Sequence, residues 1–133
     1  MATTEAKGTF EVKMNPLTLN EKIDDPMLAR FSLDKQFSGD LEAMSHGEML
    51  SAGTSINGSA GYVAIETVTG SLRALAGSFV LQHSGTMTRG APQLSITVVP
   101  DSGTGELAGL AGKLEINIED SKHFYSFEYS LDK

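Results

Sequence analysis

Turn-forming residues interrupt this chain at short and even intervals, and that spacing limits what it can fold into. Asn15-Pro16, Asp24-Asp25-Pro26, Ser38-Gly39-Asp40, Asn57-Gly58, Arg89-Gly90-Ala91-Pro92, Pro100-Asp101-Ser102-Gly103 and Asp120-Ser121 are all turn combinations. Between them lie short segments rich in β-branched and aromatic residues. Phe10, Val12 and Met14 alternate with polar neighbours. Met27, Ala29, Phe31, Leu33 and Phe37 share one face, with Arg30, Ser32, Asp34 and Gln36 opposite. Leu114, Ile116 and Ile118 oppose Lys113, Glu115 and Asn117, while Tyr125, Phe127, Tyr129 and Leu131 oppose Ser126, Glu128 and Ser130. A period of two bounded by turns is the signature of half-buried antiparallel strands. About eight such segments predict an all-β chain closed into an antiparallel barrel. One domain is expected over residues 1–133, with residues 1–7 frayed and residues 15–26 a long loop. Asp40 to Leu50 contains helix formers, but Gly47 interrupts them, and a strand is expected there.

An internal repeat points the same way. Thr69-Gly-Ser-Leu-Arg-Ala-Leu-Ala-Gly77 recurs as Thr104-Gly-Glu-Leu-Ala-Gly-Leu-Ala-Gly112, and each copy runs into an alternating strand. A degraded third copy begins at Gly39-Asp-Leu41. Too few copies are present for a solenoid, so the repeat reads as one turn-plus-strand device used around a closed sheet. Its two leucines, three apart, are expected to plug the barrel end while the glycines permit tight turns.

The T-G-x-L-x-x-L-A-G pattern resembles the glycine motif of allene oxide cyclase and dirigent barrels. Gly58 to Met87 together with Val98 to Gly112 more closely resembles an uncharacterised bacterial family of small allene-oxide-cyclase-like barrels. That similarity runs from Gly8 to Leu131. It implies an eight-stranded antiparallel barrel, often oligomeric, with no established activity. The better-known cousins enclose an apolar pocket and steer a reactive hydrophobic intermediate without a metal or a bound cofactor. No residue here matches their catalytic positions, so none is carried over.

Charge and composition exclude several functions. The chain has 17 acidic and 10 basic side chains among 133 residues, a formal net charge of -7. So acidic a surface repels phosphate, and neither nucleic acid nor an anionic membrane is expected as a partner. Without cysteine there is no disulfide, no zinc–thiolate site and no thiol nucleophile. No apolar run approaches the ~20 residues of a membrane span, and the amino terminus lacks the features of a signal peptide, so a cytoplasmic location is expected. Gly103 to Ala108 fits the letters of a dinucleotide fingerprint, but Gly109 and Gly112 would stop the helix that motif needs, and Glu106 would face the phosphates. No cofactor is expected. His46 and Glu48 share a strand face, yet no third ligand declares itself, so no metal site is expected either.

The candidate site residues are Tyr62, Glu66, His83 and Arg30. Tyr62, Ala64, Glu66, Val68 and Leu72 share one strand face, which sets a carboxylate among apolar neighbours. Burial there would raise its pKa toward general acid or base use. His83 shares a face with Phe79, Leu81 and Met87, and a Glu66–His83 pair across the hairpin depends on register. Arg30 lies on a polar face with Asp34, where a surface ion pair or a ligand carboxylate would suit it. The methionines read mainly as core fillers. The leading expectation is a barrel that binds a small apolar or amphipathic molecule. The alternative is a cofactor-free isomerase or cyclase in which Glu66 or His83 moves a proton. A third is a filled barrel that acts through its outer surface as a homo-oligomer.

Overall fold

The computed structural model describes residues 3–131. Eight strands follow in order: β1 (Thr4–Leu17), β2 (Leu28–Gly39), β3 (Leu41–Gly53), β4 (Ala60–Leu72), β5 (Leu75–Thr88), β6 (Ala91–Val98), β7 (Leu110–Glu119) and β8 (Lys122–Leu131). Each strand pairs antiparallel with the next, and β8 pairs with β1, so the sheet closes into an up-and-down barrel. The alternation explains the closure: apolar side chains of one parity turn inward on every strand, and pairing β8 to β1 satisfies the edges that an open sheet would leave. Among the described residues the one helical piece is a 3-10 turn at Gly105–Leu107, and no helix is long and apolar enough to cross a membrane.

The interior is filled at one end. Phe37, Leu41, Leu72, Phe79, Leu107, Leu110 and Phe127 are all buried together there, with Phe79 and Phe127 stacked at 5.7 Å. Of the four repeat leucines expected to plug the barrel, Leu72, Leu107 and Leu110 do so, while Leu75 is half-buried against them. The two copies nevertheless adopt different shapes. In the first, Arg73 and Ala74 form a two-residue hairpin turn with φ of 47° and 70°, the left-handed pair such turns require. In the second, Gly105–Leu107 form a 3-10 turn where the aligned residues Gly70–Leu72 of the first are strand, and Ala108 and Gly109, aligned with Arg73 and Ala74, again make a turn before β7. The copies also bond to each other: Ala76 donates its N–H to Glu106 Oε1 at 3.1 Å, and Ser78 donates to Thr104 Oγ1 at 3.1 Å. Only Thr97 and Lys113 pair between β6 and β7. The segment after β6 instead follows β5, with Val99 N–H on Val80 O at 2.9 Å.

Several boundaries differ from the sequence expectation. β1 begins at Thr4, inside the stretch expected to fray, because Thr4 to Phe10 pairs with β8; residues 1 and 2 lie outside the described residues. β1 also runs on to Leu17, pairing with Arg30, so the long loop spans residues 18–27 rather than 15–26. Asp40 to Leu50 is strand as expected, apart from Asp40 itself at the turn. Met14, Met27, Met44 and Met87 are exposed rather than core; the aromatic and leucine side chains already fill the closed end.

Candidate functional site

Above the apolar plug, four neighbouring strands each turn one polar side chain inward. Lys35 comes from β2, Ser45 from β3, Glu66 from β4 and His83 from β5, and all four are buried. Register brings them together. Lys35 lies opposite Ser45, Ser45 lies opposite Val68, and Ala64 lies opposite His83. Glu66, two residues from each of the last two β4 positions, therefore meets Ser45 and His83 on the diagonals. Gly47 sits directly opposite Glu66. A Cβ at Gly47 would stand 2.7 Å from Glu66 Cβ, so the missing side chain is what admits the carboxylate.

Glu66 is wholly buried and fully partnered. Ser45 Oγ donates to its Oε1 at 2.6 Å, and Lys35 Nζ donates to its Oε2 at 2.8 Å. His83 Nε2 lies 2.5 Å from the same Oε2. Burial by itself would push the Glu66 carboxyl up, but the hydrogen bond from His83, the charge and hydrogen bond of Lys35 and the Ser45 hydroxyl outweigh it, bringing the pKa to about 2. The group is thus a carboxylate that only accepts hydrogen bonds. His83 must then carry its proton on Nε2, and in the neutral ring Nδ1 is left as an acceptor. Tyr62 Oη stands 3.2 Å from that Nδ1. Burial, and then the Glu66 charge, hold the Tyr62 hydroxyl above the usual phenol range. Tyr62 therefore keeps its proton, and beside a neutral imidazole its hydroxyl is the donor to Nδ1. Tyr62, His83 and Glu66 thus form one hydrogen-bonded chain, and Lys35 lies against the same carboxylate oxygen as His83. Lys35 also rests on the Phe10 ring, 5.2 Å from its centroid. Among the described residues no buried side-chain polar atom lacks a partner.

The other end of the barrel is open. A pocket of about 510 Å³ lies there, lined by Met49, Tyr62, Met87, Pro92, Leu94 and Ile118 among others. Tyr62 belongs to both regions: its ring is part of the pocket wall, and its hydroxyl is committed to His83 beneath. Gly85 faces Tyr62 across the β4–β5 pair. A Cβ there would come within 2.6 Å of the Tyr62 ring, so the ring is seated on bare backbone.

Tyr62, Glu66 and His83 thus come together as one site, and Arg30 does not join them. Arg30 lies outside the barrel and pairs with Glu48, through Nε at 2.9 Å and Nη2 at 2.8 Å, while Nη1 donates to Thr18 O. The surface ion pair expected of Arg30 is thus made with Glu48, while Asp34, on the same strand face, pairs with His46 at 2.6 Å. Neighbouring outward positions on β2 and β3 are closer to each other than Arg30 is to Asp34, four residues along its own strand. These pairs also separate His46 from Glu48. Lys35 and Ser45 are the residues that sequence reasoning missed. Both occupy inward parity, Lys35 between Leu33 and Phe37 and Ser45 after Leu41 and Ala43, and that parity was the available signal.

No curated protein matches the chain. A crystal structure of a protein of unknown function from the DUF3224 family of Shewanella oneidensis MR-1 superposes with a TM-score of 0.93 at 48 % identity, covering 99 % of this chain and 100 % of that one. The profile described as "Protein of unknown function (DUF3224)" matches residues 6–129. With nearly its whole length matched, the chain belongs to the DUF3224 family, whose function is unknown.

Proposed function

We propose that the barrel binds a small, apolar, uncharged molecule in its open end. The observation that carries this reading is the division of the interior. Apolar side chains from β3 to β7 surround about 510 Å³ of open space, while the polar groups beneath are all engaged with one another. A pocket of that size is within the range used for small ligands. Glu66 and His83 are 0 % and 3 % exposed and lie behind the Tyr62 ring, so neither presents a free acid or base to the pocket. That arrangement favours carriage over the isomerase or cyclase alternative, in which one of them would touch the substrate. The buried chain serves here as a rigid floor that fixes the Tyr62 ring. Apolar burial supplies the affinity, roughly 25 cal/mol for each Å² removed from water.

Titration with N-phenyl-1-naphthylamine, a neutral probe that fluoresces in apolar surroundings, tests this. Saturable enhancement at one site per chain is expected. Leu94→Asp, at an exposed pocket position, should weaken it at least about tenfold, as a loss near 1.4 kcal/mol would, with the melting temperature little changed. Absence of saturable binding, or binding indifferent to Leu94→Asp, overturns the reading.

A further inference from the structure

The outer surface carries a second signal, independent of the pocket. Across β4, β5 and β6 there is one Asp, Glu, Lys or Arg side chain, Glu66, and it points inward. The outward positions read Val63, Ile65, Thr67 and Thr69 on β4, then Val80, Gln82, Ser84 and Thr86 on β5, then Gln93, Ser95 and Thr97 on β6. The rest of the barrel is different. Glu5, Lys7, Glu11 and Lys13 line β1, Arg30 and Asp34 lie on β2, Glu42 and Glu48 on β3, and Lys113, Glu115 and Glu128 on β7 and β8. A chain of net charge -7 thus keeps three adjacent strands free of outward charge. Val63 and Ile65 are 53 % and 55 % exposed, and the apolar strip continues onto Leu50 of β3 at 51 %, where Leu19 and Ile23 of the 18–27 loop and the paired Arg30 and Glu48 border it.

We propose that this face is where two copies of the chain dock, sheet against sheet, about a two-fold axis. Charge selects the partner. A nucleic acid or anionic membrane would need free cations, and Arg30 at the border of the face is already paired with Glu48; a strongly charged protein would lose hydration without gaining a counter-charge. A second copy meets neither problem. At a two-fold axis a surface faces itself, so a fixed charge near the axis would meet its own like. Threonine and serine hydroxyls donate and accept equally well, so identical rows of them are self-complementary. Val63 and Ile65 supply the area to be dried. Three strands about 4.8 Å apart, with about 3.3 Å per residue, span on the order of 500 Å² per copy before side-chain relief. Two copies then bury roughly 1,000 Å², the lower bound of a specific interface, so association in the micromolar range is expected.

Sedimentation equilibrium of the full chain over about 1 to 200 μM, at about 20 and 500 mM NaCl, tests the proposal. The mass should rise from 14.1 kDa to twice that value. Added salt should tighten association, because no ion pair crosses the interface and salt screens the repulsion between two acidic subunits. Ile65→Lys should weaken the dimer by about 100-fold by placing like charges across the axis. Mixing Ile65→Lys with Ile65→Glu should restore it as a heterodimer, an outcome that misfolding does not produce. Thr67→Lys is the second variant on this face, and Thr9→Lys on β1 is the control. A monomer at the highest concentration overturns the proposal. So does a dimer that salt weakens, one that neither face variant weakens, or a charge-swapped pair that fails to reassemble.

Discussion

Glu66 depends on partners that its own strand does not supply, and its substitution should show that dependence. Glu66→Gln leaves the Lys35 ammonium buried without its carboxylate, a change expected to cost about 3 to 5 kcal/mol in a urea titration. Lys35→Met should cost a similar amount by orphaning the carboxylate. The double variant Lys35→Met/Glu66→Gln should lose clearly less than the two single losses combined, because each substitution removes the charge the other strands. Additive losses would mean that the two groups are not coupled. Glu66 and His83 were legible in the sequence because both stand at inward parity among apolar neighbours. Their partnership was legible only as a possibility that hung on register. Lys35 has the same parity, between Leu33 and Phe37, but its partner lies 31 residues away. Without that pairing a lysine on a strand reads as a solvent-facing end, since long amphipathic side chains reach water easily.

At the scale of strands, the β3–β4 pair is where backbone shape and site chemistry meet. Gly47 marks a close approach: an added Cβ would lie 2.1 Å from Ile65 O, a backbone atom that cannot swing aside. Gly47→Ala should therefore destabilise the barrel by about 1 to 3 kcal/mol, the usual cost of overpacking, and should disturb Glu66 as well. Thermal melts would give the first effect, and the line shape of the His83 ring signals in NMR the second. An unchanged melting temperature would contradict the close approach. The sequence shows Gly47 as an interruption of a helix-like stretch, which correctly turns that stretch into strand. What the glycine makes room for lies on the adjacent strand and is invisible locally. The repeats teach a related lesson. Nearly identical letters are strand at Gly70–Leu72 and a 3-10 turn at Gly105–Leu107. The first copy joins two strands that pair in full, whereas the second arrives from β6, which pairs with β7 at one position.

For the molecule as a whole, the buried cluster sets an acid limit. The folded-state pKa of Glu66, about 2, lies below its ordinary value of 4.5, so ionised Glu66 favours the folded state. That contribution is complete above about pH 4.5 and is lost as pH falls through the folded value, with a size on the order of 3 kcal/mol. Stability measured by denaturant titration should decline from pH 5 to pH 2, and Glu66→Gln should flatten that part of the curve. An equally steep decline in the variant would assign the acid sensitivity to other carboxylates. By itself the sequence determined the strand-and-turn rhythm, the inward parity of most side chains, the leucine plug and the closed all-β architecture. Those are local properties: a period of two and a turn residue act on the chain wherever it is. Tertiary structure alone decided that Glu66 meets Lys35, Ser45 and His83, that Arg30 stands outside with Glu48, and that one end of the barrel is filled while the other is open. Register and closure join residues far apart in the chain, and their energies come from pairings that no short window of sequence contains.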